Sequence, residues 1–201
     1  MQDLKRRILA NLAAFPRLAL DRADLRRAAV AILISPLAGE PTYAITRRAM
    51  HLRRGAGNYA LPGGACDADE QAVAAALRET AEELGVRLDE GSALGMLDDF
   101  ITLSGFVVTP VVLWSGIPLV LQPDPVEVGE AWLNPLSELD HPESPRWEAH
   151  PDGGEAIPRM FARGSWINPP TAAWLYQFRE VALHGRWTRV AQVGQPVWTA
   201  R

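Results

Sequence analysis

Apolar residues gather along this chain in short compact runs separated by turn-forming stretches. Residues 28–35, AAVAILIS, form one such run, and the turn-like PLAGEPT follows it, which predicts a buried strand. Tyr43–Thr46 predicts a second strand after that turn. Leu94–Asp98, Phe106–Trp114 and Val128–Leu133 read as three more, with Pro110 expected at an edge or a bulge because proline has no N–H for a ladder. Three segments carry helical spacing instead. Leu4, Ile8, Leu9 and Leu12 predict a short amphipathic helix over residues 2–14. A second helix follows a Pro-Gly-Gly turn, with Val73, Leu77, Thr80 and Leu84 as its inward stripe and the acidic residues well away from it. Asp67 is its expected N-cap, Glu70 completes a capping-box-like pair, and Gly85 is placed to end it. Trp174, Leu175, Phe178, Val181 and Ala182 mark a third helix over 171–184, with Gly185 as the stop. The Pro-rich stretch 118–126 reads as a loop, and 141–154, HPESPRWEAHPDGG, as an exposed, mobile excursion. Strands interleaved with few helices predict an α/β architecture, a mixed sheet covered on both faces.

The 201 residues, 48% of them hydrophobic, suffice for one domain with a large core. A formal net charge of -4 gives no general pull toward nucleic acid or an anionic membrane. The lone Cys66 cannot form an internal disulfide, which fits a reducing compartment. Asn11, Pro16 and Arg17 interrupt any secretory apolar segment near the start, and no apolar run reaches the roughly 18 residues of a membrane span. A soluble cytoplasmic protein is expected. His51, His141, His150 and His184 lack metal-ligand spacing, Ser104 and Ser165 lack a triad signature, and the tryptophans read as packing residues.

The chemistry concentrates in the second helix. Glu79, Glu82 and Glu83 stand at i, i+3 and i+4, so their carboxylates crowd together and repel. Charged helix faces are commonly just solvated faces. Here only Arg78 offsets the acids on that helix, and the loop before it carries Arg47, Arg48, Arg53 and Arg54 among Gly55, Gly57, Gly63 and Gly64, a composition able to cradle phosphates. A hard divalent cation would turn the repulsion into attraction, since Mg²⁺ takes oxygen ligands. A carboxylate cluster opposite an Arg/Gly loop therefore suits a metal–diphosphate substrate.

The order Gly64, five residues, Glu70, seven residues, then Arg78-Glu79-Thr80-Ala81-Glu82-Glu83-Leu84-Gly85-Val86 resembles the Nudix box, G-x5-E-x7-R-E-U-x-E-E-x-G-U. Thr80 stands where U is usually a large aliphatic, and its methyl can pack there. The resemblance implies a Nudix-fold α/β/α sandwich over 1–201, with the box at 64–86 and the helices 2–14 and 171–184 as extensions. It implies Glu79, Glu82 and Glu83 as ligands of Mg²⁺ or Mn²⁺, with the Gly63 carbonyl beside them. Arg78 would pair with Glu70, and Gly64, Glu70, Arg78 and Gly85 would be structural. Thr46-Arg47-Arg48-Ala49, then Arg53, Gly57 and Leu61-Pro62-Gly63-Gly64, is similar to the signature of coenzyme A pyrophosphatases, LLTKR(S/A)-x3-R-x3-G-x3-FPGG. Gly55 stands where many members carry histidine, and Asn58 replaces a glutamine. The segments 97–112 and 123–139 also match that family in order.

That resemblance implies hydrolysis of the diphosphate of coenzyme A or its thioesters to 3′,5′-ADP and 4′-phosphopantetheine. Arg47, Arg48, Arg53 and Arg54 are the candidate phosphate-binding side chains, because guanidinium forks bind phosphate oxygens bidentately. Glu127 is the first choice for a base or water-orienting carboxylate, Glu130 the second, and Glu79 a third. The expected partner is a small-molecule substrate, with no nucleic acid or membrane; a homodimer is compatible with this reading. Two rivals stay open: the same chemistry on ADP-ribose or a dinucleotide, and a catalytically silent nucleotide-binding regulator. An isomerase on the same fold is more remote.

Overall fold

A computed structural model describes residues 1–200. Its centre is strand β1 (Arg26–Leu37), which is buried without a break from Ala28 to Ser35. A strand covered on both faces shows no polar alternation, which is why AAVAILIS reads as one run. A tight turn at Ala38 and Gly39, both at positive φ (49° and 87°), returns the chain as β2 (Glu40–Arg48). β3 (Tyr59–Ala60) and β4 (Gly63–Ala65) pair with β2 and β1, and β5 (Ala93–Met96), β6 (Phe100–Ile101) and β7 (Phe106–Trp114) build the other half. β8 (Val128–Pro135) closes onto β2. The sheet is mixed: β1 and β7 run parallel, and their other neighbours antiparallel.

Alternation along β1 divides the core in two. Ala28, Val30, Ile32 and Ile34 face helix α1 (Gln2–Ala14) and helix α3 (Thr171–Phe178), where Ile8, Leu12, Trp174 and Phe178 are buried, with Val181 just beyond α3 in the same cluster. Ala29, Ala31 and Leu33 face helix α2 (Ala72–Leu84). The small residues on that side let α2 approach closely, so Ala72, Ala75, Ala76 and Thr80 fill the contact. Val73 and Leu77, expected in the inward stripe, are only half-buried at its margin. Thr80 is fully buried, and its hydroxyl donates to the Ala76 carbonyl at 2.7 Å. The stripe thus runs Ala72, Ala76, Thr80, Glu83, and Glu83 lies on the buried face rather than well away from it.

Four other expectations change. Pro110 lies inside β7, not at an edge. It sits where the neighbouring ladder passes from β6, paired as far as Val108, to β5, which begins at Val111, so its missing N–H falls at the changeover. α2 starts at Ala72 with Gln71 as N-cap, because Asp69 adopts φ 62° and breaks any helical path through residues 67–70. Residues 146–148 of the supposed excursion form strand β9 (Arg146–Glu148), which joins β10 (Ile157–Ala162) and β11 (Ser165–Ile167) in a small second sheet. The third helix is α-helical only to Phe178 and continues to Leu183 as a π-helical turn. Gly85 and Gly185 both end their helices at positive φ (67°), as expected.

Candidate active site

The box folds as strand–loop–helix; backbone crowding requires a glycine at 63, and the glycine at 64 leaves room for a side chain of the helix. A Cβ on Gly63, at φ 155°, would lie 2.3 Å from the Ala29 carbonyl oxygen. A Cβ on Gly64 would lie 2.3 Å from Glu79 Oε1, so this glycine is what lets the Glu79 carboxylate sit against the backbone. Glu70 accepts the Asp67 N–H at 2.9 Å and receives Arg78 through Nε (3.0 Å) and Nη2 (2.9 Å). Arg78 also donates to the Ala65 carbonyl, pinning α2 to β4. The expected Arg78–Glu70 pair is present, and Arg78 holds the Glu70 carboxyl below its usual range.

Arg78 reaches further than the sequence indicates. Its Nη1 donates to Glu79 Oε1 at 2.8 Å and to Glu82 Oε2 at 3.0 Å, so one guanidinium serves three carboxylates. Glu82 remains largely exposed, whereas Glu83 is only 4% exposed. Glu83 Oε2 accepts the Gly63 N–H at 3.3 Å. Burial, then repulsion from Glu79, pushes the Glu83 carboxyl up to about 8, with Glu127 adding to the effect. Burial raises Glu79 as well, with Glu82 and Glu127 pushing the same way and Arg78 opposing. A carboxylate driven toward its neutral form by burial and like charge marks a candidate functional site.

The structure brings Glu127 to this cluster. The loop 118–126 crosses the end of α2, where the Gln122 and Asp124 N–H groups donate to the Leu84 and Glu83 carbonyls at 2.8 and 3.0 Å. Asp124 then turns the chain by accepting the Val126 and Val128 N–H groups, and Glu127 follows at the turn. Asp124 escaped sequence reasoning; a short polar residue in a Pro-rich loop was its only signal. Glu130, the second choice, pairs with Arg47 at 3.3 Å instead.

Among the described residues no three His, Cys, Asp or Glu side chains stand together as a metal-holding group. Arg78 draws Glu82 outward and takes one oxygen of Glu79. The donor chemistry still suits a hard divalent cation: only carboxylate oxygens, one of them buried without a cation of its own and repelled by two more acids. Cys66 shows no activation, since burial pushes its thiol up rather than down.

Beside the box lies a cavity of about 960 Å³. Arg47, Arg48 and Arg54 line it, together with Gly63 and Gly64; Arg53 is exposed and lies outside its wall. The arginine loop is held by its backbone: the Arg48 N–H donates to the Asn58 carbonyl at 2.9 Å and the Gly57 N–H to the Arg48 carbonyl at 3.0 Å. No helix among the described residues is long and apolar enough to cross a membrane.

Residues 25–159 match the model of the NUDIX domain. The chain is 40% identical over 99 residues to a protein of Pectobacterium atrosepticum described as uncharacterized Nudix hydrolase NudL, covering 49% of this chain and 52% of that protein. It is 37% identical over 117 residues to the protein of the same description from Photorhabdus laumondii, covering 58% and 63%. The matched part thus spans about half to two-thirds the length of these relatives. Among solved structures, a NUDIX hydrolase from Alicyclobacillus acidocaldarius superposes with a TM-score of 0.50 at 18% identity, covering 88% of this chain and 99% of that one. A MutT/nudix family protein from Enterococcus faecalis gives 0.50 at 16% identity, covering 76% and 54%. These two share the fold.

Proposed function

The chain belongs to the Nudix family, and from that premise we propose that it hydrolyses the diphosphate of coenzyme A or an acyl-coenzyme A, as one Nudix domain over 1–201 acting in the cytoplasm. The observation that carries the proposal is a cluster of glutamates packed against Gly63 and Gly64, two glycines that also line an arginine-walled cavity. Nudix hydrolases generally use divalent metals, and Glu79, Glu82, Glu83 and the Gly63 carbonyl would hold Mg²⁺ or Mn²⁺. When bound, such an ion supplies charge for the diphosphate oxygens and Lewis acidity that makes water nucleophilic near neutral pH.

The protein's own groups divide the remaining work. Arg47, Arg48 and Arg54 hold phosphate oxygens at the cavity wall, the fork geometry of guanidinium suiting that role. Glu127 orients water and takes its proton, being an exposed carboxylate whose charge is felt by Glu79 and Glu83. Arg78 keeps Glu79 and Glu82 oriented and gives up Glu82 when a cation takes its place. Support for coenzyme A comes from the 46–64 segment and its likeness to the signature of coenzyme A pyrophosphatases; Gly55 and Asn58 depart from that signature, which keeps ADP-ribose and dinucleotides as the second reading.

A substrate panel tests this. Coenzyme A, an acyl-coenzyme A, ADP-ribose and a dinucleotide are incubated with Mg²⁺ or Mn²⁺ and the products separated by chromatography. Formation of 3′,5′-ADP and 4′-phosphopantetheine at the highest kcat/KM is the expected result. Faster turnover of ADP-ribose moves the assignment to the second reading. Tight nucleotide binding with no hydrolysis of any substrate makes the protein a silent regulator.

A further inference from the structure

The cavity beside the arginine loop is walled on another side by residues from Ser165 to Trp174, beyond the matched residues 25–159. Two buried polar atoms of that wall have no hydrogen-bond partner among the described residues: Asn168 Oδ1, an acceptor, and Trp174 Nε1, a donor. Trp174 is 5% exposed, and its ring is fixed edge to face on Phe100 with centroids 6.1 Å apart. Asn168 is fixed through its main chain, its carbonyl accepting the Ala172 N–H at 3.0 Å. Buried polar groups are nearly always hydrogen-bonded, and a tryptophan N–H placed inside a protein ordinarily finds an acceptor. Two unpaired groups of opposite sense, an acceptor and a donor, belong to one wall of the cavity. The rest of the cavity supplies apolar and aromatic surface from Val30, Tyr59, Phe106, Val108 and Trp166. Apolar walls with a few convergent polar groups are the usual make-up of a small-molecule site.

We infer that this cavity is the specificity pocket for the part of the substrate outside the diphosphate, with Asn168 accepting an N–H from a planar group of that part and Trp174 donating its N–H to an acceptor on the same group. The inference rests on the pyrophosphohydrolase reading, since it takes the arginine side of the cavity as the phosphate end. It places specificity in the segment after β11, outside the domain that the family shares. In coenzyme A such a group occurs in two places: the adenine, with its amino group beside a ring nitrogen, and the secondary amides of the pantetheine arm, whose N–H and C=O point to opposite sides.

Fragment binding separates these sources without any turnover. Adenosine 3′,5′-bisphosphate and 4′-phosphopantetheine are titrated by calorimetry, in EDTA, into the full chain and into Asn168→Ala and Trp174→Phe. One fragment should bind more weakly to each variant by about 5- to 20-fold, a typical loss for one buried hydrogen bond. The other should change less than about twofold, and the affected fragment names the group read. Unchanged affinity of both fragments in both variants overturns the inference, as does equal loss of both or absence of binding to the wild type at millimolar concentration. Trp174→Phe keeps an aromatic ring against Phe100 while removing the N–H, so it decides alone if melting shows Asn168→Ala misfolded. Hydrolysis of coenzyme A with unchanged KM in both variants removes the pocket assignment alone. The expected fragment losses without hydrolysis of coenzyme A remove the pyrophosphohydrolase reading alone.

Discussion

Two pairs of buried or half-buried acids among the described residues are treated in opposite ways. Asp98 and Asp99, between β5 and β6, are fully provided for. Asp98 accepts the Leu18 N–H (2.7 Å), Gln177 Nε2 (2.8 Å) and Arg189 Nη1 (2.7 Å). Asp99 accepts Arg17 Nη2 (2.5 Å), the Leu20 N–H (2.8 Å) and the Thr109 hydroxyl (2.7 Å). These contacts tie the segment after α1, the strand region and the C-terminal stretch together. Glu79 and Glu83 have far less: Arg78 on Glu79, and on Glu83 one long backbone contact and the charge of Arg48, with Glu127 adding like charge to both. Acids given a partner for each lone pair hold a fold together, whereas acids left short of positive charge are stored for a ligand. The difference separates structure from chemistry more sharply than acidity or burial alone.

The largest test of that contrast is on the structural side. Asp98→Ala leaves Arg189 and Gln177 without their acceptor and should cost about 3–5 kcal/mol in urea unfolding, with turnover per folded molecule unchanged. A loss of activity at intact stability would erase the distinction. On the other side, Glu82→Gln and Glu83→Gln should each lower kcat by at least about 100-fold, near 2.7 kcal/mol in barrier, with circular dichroism unchanged. Full activity in both would remove these glutamates from the site.

Smaller effects sharpen the picture. Arg54→Ala should raise the KM for coenzyme A about 5- to 10-fold with little change in kcat, and Arg53→Ala should do so less, since only Arg54 lines the cavity. The reverse ranking would return the leading phosphate role to Arg53. The last effect concerns pH. The folded chain holds the Glu83 proton up to about pH 8, while the unfolded carboxyl releases it near 4.5. The folded state therefore binds more protons in that window, and its stability falls as pH climbs from about 4.5 through 8. In EDTA, Glu83→Gln should melt above the wild type at pH 8 by roughly 2–4 °C, about 1 kcal/mol for a chain of this size, and the gap should close toward pH 5. A gap independent of pH would mean that Glu83 is already ionised and satisfied in the folded state.

Much of this was legible in the sequence because it is local. The β1 run, the αL stops at Gly85 and Gly185 and the spacing of Glu79, Glu82 and Glu83 each depend on neighbours within a few residues. What the sequence hid is contact at a distance. Glu83 counted as a surface acid because the alanines of β1, which bring α2 close, are not adjacent to it in the chain. The partners of Asp98 come from positions 18, 177 and 189, and no window contains them. Asp69 defeated the expected cap through its positive φ, a conformation that aspartate adopts more readily than most residues and that helical spacing does not reveal. The Asn168–Trp174 wall gave no signal at all, since Trp174 reads as an apolar-face residue of the third helix and Asn168 belongs to no motif.

The most direct measurement is an anomalous difference map from crystals grown in Mn²⁺. The account predicts a peak coordinated by Glu79, Glu82 and Glu83, with Glu82 released from Arg78, and no peak in the Glu83→Gln variant. A featureless map at saturating Mn²⁺, with Arg78 still joined to both Glu79 and Glu82, would contradict it.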